Sequence, residues 1–109
     1  MGITKTDGFS EDVNIMSDIL KALGHPARLS IMQYISEQNS CISNDIVGEL
    51  PLAQPTISRH LSELKKVGLI KGTISGKNIC YCINSTVWTS VVSQINTISK
   101  AMNESSDCC

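Results

Sequence analysis

Aromatic residues are scarce in this chain, which has one Phe, one Trp and two Tyr among 109 residues. A hydrophobic core must therefore be built from Leu, Ile and Val, and that supply suits a helix-rich fold. Hydrophobic residues make up 41% of the chain, enough for one modest core, whereas two domains of half this length would each be too small to fold well. We expect a single, mainly helical domain.

Long apolar runs are also missing. The first ten residues, MGITKTDGFS, contain no apolar segment typical of a secretory signal, and no stretch of the chain is apolar enough to span a bilayer. The five cysteines are an odd number, which argues against a framework of structural disulfides. We therefore expect a cytoplasmic protein with reduced thiols and no membrane partner.

The chain has little net charge, formally -1, but its charges are unevenly placed. Residues 52–84 hold five Lys or Arg against one Glu, and the rest of the chain holds four against nine acids. A local concentration of positive charge attracts a polyanion even when the total is near zero. The segment 52–84 is thus the candidate for nucleic-acid binding.

Apolar residues recur at helical spacing in the first half of the chain. Ser10 is placed to cap a first helix that Gly24 ends, and His25-Pro26 opens a second. A short third helix is predicted over 43–50, and a fourth opens at Gln54-Pro55.

Beyond Gly68 the apolar period changes to two, which predicts a hairpin with strands at 69–75 and 78–84. Asn84-Ser85 can cap a final helix. The predicted order is α-α-α-α-β-β-α. We divide the chain into a flexible arm at 1–10, a DNA-binding and dimerisation domain at 11–103, and a flexible cysteine-containing tail at 104–109.

Two short helices, a basic face on the second and a following hairpin are the parts of a winged helix-turn-helix. The second helix of such a unit enters the major groove, and the hairpin lies against flanking phosphates or the minor groove. Here the fourth predicted helix has an apolar side of Ile57, Leu61 and Leu64, and Lys77 lies at the hairpin tip. The sequence thus predicts a mainly α winged helix-turn-helix.

Three segments, LKALGHPARLSIM at 20–32, QPTISRHLSELKKVGLI at 54–70 and GKNICYCI at 76–83, resemble the ArsR/SmtB family of metal-responsive repressors. The resemblance implies a homodimer formed by the first and last helices, an inverted-repeat operator in double-stranded DNA, and release by an inducer, with no cofactor needed for DNA binding. Together with the polar helix face, it gives these DNA-binding candidates: Gln54, Thr56, Ser58, Arg59, Ser62, Lys66 and Lys77.

Arg59 is the first candidate for a two-pronged contact to guanine or phosphate. His60 lies at the edge of the apolar side, about 60° from Ile57 by the 3.6-residue period, and we expect it to be a structural residue hydrogen-bonded within the domain. We expect His25 to be a loop or cap residue. Relatives commonly have a serine where Ala53 stands, and alanine has no side chain to accept the first amides of the helix.

The thiols are the candidate inducer site. The family's arsenic sensors carry Cys-x-Cys at the start of the third helix, where this chain has ISNDIV, and the zinc ligands of other relatives are missing from the last helix. Period two places Cys80 and Cys82 on the polar face of the hairpin, opposite the face of Ile79, Tyr81 and Ile83. The candidate thiols are Cys108, Cys109, Cys80 and Cys82.

We expect As(III) or another thiophilic ion to bind Cys108 and Cys109, with a third thiol from Cys80, Cys82 or Cys41. The alternative is a repressor of the same fold that senses oxidants or persulfides through its thiols. The interpretations without a sensing function are that the tail has no role and that the hairpin cysteines are only packing residues.

Two alternative functions lie outside inducible repression, namely a small thiol enzyme and a protein-interaction module. A small thiol enzyme using Cys80-x-Cys82 lacks, apart from Lys77, any acid, histidine or lysine placed by sequence in the hairpin segment to activate a thiolate, so we expect no enzyme. The other alternative is an interaction module that has kept the fold and lost DNA binding. The presence of the DNA-binding candidates Thr56, Ser58, Arg59 and Lys77 argues against it.

Overall fold

A computed structural model describes residues 8–38, 42–43, 50–75 and 78–104 of the chain. Two helices come first, α1 at Glu11–Leu23 and α2 at Pro26–Glu37. Ser10 caps α1 by accepting a hydrogen bond at Oγ from the Val13 amide at 3.2 Å, and the chain leaves the helix at Gly24. The predicted cap, stop and proline-led second helix are therefore confirmed.

The next helix is α3 at Gln54–Lys66, and the last is α4 at Ser85–Glu104. Asn84 caps α4, because its Oδ1 accepts from the amides of Thr86 at 3.2 Å and Val87 at 3.5 Å. This confirms the predicted cap. The short helix predicted over 43–50 lies mostly at 44–49, outside the described residues, as do residues 1–7 of the arm and 105–109 of the tail.

Three antiparallel strands form one sheet: β1 at Ile42–Ser43, β2 at Ile70–Ser75 and β3 at Asn78–Ile83, in the order β1-β3-β2. The hairpin of β2 and β3 was predicted. In the structure, Ile70 pairs with Ile83 and Ser75 with Asn78. Strand β1 was missed. Two residues are too few to show a period, and their partners on β3 lie far away in sequence.

The core lies where the four helices α1, α2, α3 and α4 meet the inner face of the sheet. As the composition predicted, it is mainly aliphatic, and Tyr81 is its one aromatic member among the described residues. Its members are Ile19, Ile31, Met32, Ile35, Ile57, Leu61, Leu64, Leu69, Ile70, Tyr81 and Val91. Within the described part of the chain, no helix has the length and apolar character that crossing a membrane requires.

Candidate nucleic-acid interface

Helix α3 has one buried and one exposed side. Ile57, Leu61 and Leu64 are completely buried, at 0% exposure, and fix the helix on the core. The opposite side presents hydroxyls and cations to solvent, namely those of Ser58, Arg59, Ser62, Lys65 and Lys66. The division agrees with the predicted apolar and polar sides and gives α3 a positively charged outer surface.

Two predicted DNA-facing residues at the start of α3 are held against each other. The side-chain amide of Gln54 donates from Nε2 to the hydroxyl of Ser58 at 3.1 Å, one helical turn away. Gln54 and Thr56 are half-buried, whereas Ser58 is exposed. The pair presents a fixed arrangement of polar groups at the amino end of α3.

The N-cap of α3 is Ala53, which makes no side-chain cap hydrogen bond. The Ala53 carbonyl instead accepts from the amides of Thr56 at 3.1 Å and Ile57 at 3.0 Å, and Pro55 has no amide hydrogen to satisfy. The missing serine therefore leaves fewer amides without a partner than the sequence suggested. The positive end of the helix dipole lies at this terminus, where an anion is favoured.

The carboxyl end of α3 fixes the direction of the hairpin, which we call the wing. The Leu69 amide donates to the Leu64 carbonyl and the Gly68 amide to the Lys65 carbonyl, both at 3.0 Å, the two bonds of a Schellman motif. Gly68 has φ +87°, a left-handed conformation that glycine adopts without steric cost. Leu64 and Leu69 are both completely buried beside this turn.

The wing packs closely on α3 at Gly72. A Cβ at this position would lie 3.3 Å from Nζ of Lys65 and 3.2 Å from Cγ2 of Ile79. Lys71, the next residue back on β2, is exposed. Lys65 therefore adds positive charge where α3 meets the wing, and Lys71 adds it on the outer face of β2. Lys77 lies outside the described residues.

The sheet has the two faces that its period predicted. Tyr81 is buried, and Ile79 and Ile83 pack against the core from the same strand. Cys80 and Cys82 alternate with them and are only partly buried. Across the hairpin, Cys80 pairs with Thr73 and Cys82 with Lys71. The cysteines thus share the outer, polar face of β3.

The two hairpin cysteines differ in state. Cys82 is disulfide-bonded, and Cys80 is a free thiol. The other candidates, Cys41, Cys108 and Cys109, lie outside the described residues. Residues 8–38, 42–43, 50–75 and 78–104 bring together no three His, Cys, Asp or Glu side chains able to hold a metal ion. A disulfide sulfur is not a thiolate ligand, so Cys82 as it stands does not suit As(III).

Both histidines have structural partners. His60 is buried and its Nδ1 accepts a hydrogen bond from Nε of Arg28 at 3.2 Å. His25 caps α2 by accepting from the Ala27 amide at 3.1 Å, and its ring centroid lies 4.6 Å from that of His60. These contacts agree with the structural roles expected for both residues.

The pKa of His60 lies below its ordinary value. Burial is the main cause, and the nearby charges of His25, Arg28 and Arg59 act in the same direction against a smaller opposing effect of Glu63. Because Nδ1 accepts from Arg28, the ring is neutral and carries its hydrogen on Nε2.

Helices α1 and α4 flank an open apolar groove. Its walls include Val13, Met16 and Leu20 from α1 and Val87 and Ile98 from α4. Much of the apolar surface around it is in solvent, with Val13 at 52%, Ile95 at 51% and Ile98 at 58% exposure. A surface of this kind is typical of a protein interface.

Residues 25–71 match the family described as "Bacterial regulatory protein, arsR family". An uncharacterised HTH-type transcriptional regulator of Methanocaldococcus jannaschii is 40% identical over 72 residues, which are 65% of this chain and 81% of the relative. The chain belongs to the ArsR family.

Two further proteins are similar to this ArsR-family chain, one in sequence and one in fold. The HTH-type transcriptional repressor SmtB of Mycobacterium tuberculosis is 32% identical over 71 residues, 65% of this chain, which spans about half (52%) of that protein. A homodimeric winged helix-turn-helix DNA-binding domain from Mycobacterium bovis, a possible ArsR-family regulator, has a TM-score of 0.68 at 19% identity and covers 86% of each chain. The fold is the winged helix, as predicted, and the family is one of transcriptional regulators, not enzymes.

Three features of this ArsR-family structure were not predicted from the sequence. Arg28 was not recognised as the partner of His60, because 32 residues separate them. Lys65 and Lys71 were not among the predicted interface residues, and only packing at Gly72 and exposure reveal their place. Cys82 is disulfide-bonded, although the sequence led us to expect reduced thiols. No local sequence pattern predicts this bond.

Proposed function

We propose that this ArsR-family protein is a transcriptional repressor that reads duplex operator DNA with α3. The main observation that supports this function is the division of α3 into a fully buried apolar side and an exposed side of hydroxyls and cations. A helix of this form fits the major groove. The concentration of positive charge in 52–84 and the repressor named among the relatives support the same function.

On DNA, Arg59 supplies a two-pronged donor for guanine or a phosphate. The Gln54–Ser58 pair presents polar groups to base edges at the amino end of α3, beside Thr56. The outer cations then contact the backbone: Lys66 with the hydroxyl of Ser62 along α3, and Lys71 and Lys77 from the wing.

The repressor acts as a homodimer joined through α1 and α4. The apolar groove between these helices and the exposed apolar residues beside it supply a surface that a second copy covers. The similar Mycobacterium bovis fold is a homodimer. A two-fold dimer presents two copies of α3 to successive major grooves, so the operator is an inverted repeat.

The inducer acts on thiols. In fully reduced protein, As(III) or another thiophilic ion is bound by Cys108 and Cys109 with a third thiol from Cys80, Cys82 or Cys41. Thiolates are the ligands that a soft ion prefers in proteins. This candidate requires that the Cys82 disulfide be reduced first.

The second candidate is a thiol redox switch, and the disulfide of Cys82 favours it. An oxidant joins two thiols and weakens DNA binding, and a dithiol reductant restores the thiols. No metal takes part in this version.

Binding of reduced protein to a fluorescent duplex from the promoter of its own gene tests the function. We expect affinity to fall steeply as salt rises from 50 to 200 mM, because phosphate contacts release counterions. Attachment that is absent or insensitive to salt would contradict it. Stoichiometric arsenite should release the duplex from wild type and not from the Cys108→Ser, Cys109→Ser double variant. Release by peroxide that dithiothreitol reverses, with no response to arsenite, would select the redox switch.

A further inference from the structure

Gly72 leaves a notch on the inner face of the wing, in the middle of β2, and we call it the Gly72 notch. A Cβ at this position would lie 3.2 Å from Cγ2 of Ile79 and 3.3 Å from Cε1 of Tyr81, both on β3. It would lie equally close, at 3.3 Å, to Nζ of Lys65, which reaches the notch from α3. The ammonium of a residue on the proposed DNA-reading helix therefore lies against the backbone of the wing.

The backbone of Lys65 is held at the same junction. Its carbonyl accepts a hydrogen bond from the Gly68 amide at 3.0 Å, one of the two bonds of the turn that leads from α3 into the wing. A lysine side chain is a flexible chain of methylene groups with a compact charge at its end, so it can span the gap between a helix and a strand. Lys65 thus contacts the α3–wing junction through its carbonyl and through its ammonium.

The ammonium of Lys65 has no counter-ion at this place. Within the part of the chain that the structure describes, it makes no hydrogen bond and no ion pair, so it does not bind the last carbonyls of α3 as a lysine that only balances the helix dipole would. Lys66 and Lys71 add exposed positive charge nearby in sequence, and Glu63 is the one acid in residues 52–84. Three N–H donors in a positive setting favour an anion as the missing partner.

The Gly72 notch lies where a DNA strand passes in the proposed complex. There α3 enters the major groove and the wing lies against the adjoining minor groove. One sugar-phosphate backbone separates these two grooves, so it runs past the place where α3 and the wing meet. Backbone phosphates are the anions that lysine side chains bind in protein–DNA complexes, and such contacts fix the register of a protein on the duplex.

We propose that Lys65, with its ammonium in the Gly72 notch, binds the one backbone phosphate of the operator that lies between α3 and the wing. The proposal rests on the repressor function above and adds a binding residue to it. The contact holds α3 and the wing in a fixed register on one DNA strand, and it carries no base preference. Because a Cβ at position 72 would displace the ammonium, the glycine is part of the site.

The salt dependence of operator binding tests the charge. Lys65→Met removes the ammonium and keeps an unbranched apolar side chain. We expect the slope of log affinity against log salt to become shallower by about 1, with little change in the melting temperature. Lys100→Met removes an exposed cation from α4 and should keep the wild-type slope. A wild-type slope in Lys65→Met, whatever its melting temperature, would overturn the proposal and leave the lysine a structural role.

Promoter duplexes in which single phosphates are replaced, one at a time, by uncharged methylphosphonates locate the contact. We expect one position where the replacement weakens wild type about threefold or more and leaves Lys65→Met unaffected, because that variant has already lost the contact. Gly72→Ala should shrink the effect at the same position, and Lys100→Met should keep it.

If no position distinguishes wild type from Lys65→Met, the phosphate site is wrong and the repressor function stands. If wild type itself shows no salt-sensitive binding to the unmodified duplex, the repressor function is defeated instead.

Discussion

Arg28 donates a hydrogen bond from Nε to Nδ1 of His60 at 3.2 Å, and so joins the first turn of α2 to the middle of α3. The same guanidinium donates through another nitrogen to the Ala22 carbonyl at the end of α1, at 3.3 Å. One side chain thus connects three helices. Because His60 precedes the fully buried Leu61 and follows the exposed Arg59, this contact fixes the orientation of the proposed DNA-reading helix.

Stability should fall in mild acid because of His60. Its pKa in the folded protein is lowered by burial and nearby positive charge. The contribution of the neutral ring is therefore fully present above its unfolded value of about 6.5 and is lost as the pH falls from there through the lowered pKa. Urea unfolding at pH 7.5, 6.5 and 5.5 should show a larger loss of unfolding free energy for wild type than for His60→Asn, whose Oδ1 still accepts from Arg28.

His25→Asn is the control for this experiment. Asparagine is a good N-cap, so α2 should keep its start, and the buried histidine remains to titrate. We expect this variant to retain most of the wild-type pH dependence. Equal pH profiles for wild type and His60→Asn would show that the ring does not titrate differently in the folded and unfolded states.

Arg59→Ala should weaken operator binding by about 1–3 kcal/mol and leave the fold intact, because the side chain is exposed. Anisotropy titrations at two salt concentrations and a thermal melt provide the measurements. Lys100→Ala removes an exposed cation from α4 instead and should change affinity little. If the two variants bind alike, the exposed side of α3 is not the reading surface.

Gly68→Ala should lower the unfolding free energy by about 1–2 kcal/mol, because an L-residue at φ +87° is strained. The new Cβ itself would meet Val87 at 3.4 Å, an ordinary contact, so the cost lies in the backbone. Gly8→Ala is matched in φ, at 88°, but Gly8 is exposed outside the helices and the sheet. Chemical denaturation should show a clearly smaller effect there; equal losses would mean that the Schellman turn is not rigid.

Ile95→Glu should convert the dimer into a monomer, because it places a charge in the exposed apolar surface of α4 that a second copy is proposed to cover. Sedimentation velocity measures the state of assembly, and circular dichroism checks that the helices remain. Asn96→Glu introduces the same charge at the next exposed position and should leave the dimer intact. A dimeric Ile95→Glu protein would place the interface elsewhere.

Local signals accounted for most of the elements. Ser10, Pro26 and Asn84 mark helix starts by hydrogen bonds or φ restrictions within a few residues, and all three elements begin where these residues predict. The change of period after Gly68 likewise gave the wing. Strand β1 was missed because its hydrogen-bond partners are supplied by a strand almost forty residues later.

The candidate interface was predicted in part. The polar face of α3 follows from its period alone, so Ser58, Arg59, Ser62 and Lys66 were identified from sequence and are all exposed. Lys65 was not identified, because its place depends on how the wing packs against α3 at Gly72. Lys71, exposed on β2, was not identified either.

The sequence by itself determined the helix boundaries, the two-sided α3, the hairpin and the family, because caps, periodicity and motif spacing act over a few residues. Only the tertiary structure decided the Arg28–His60 contact, the disulfide state of Cys82 and the close packing of the wing on α3. These depend on which distant segments meet, and that is set by the packing of the whole core.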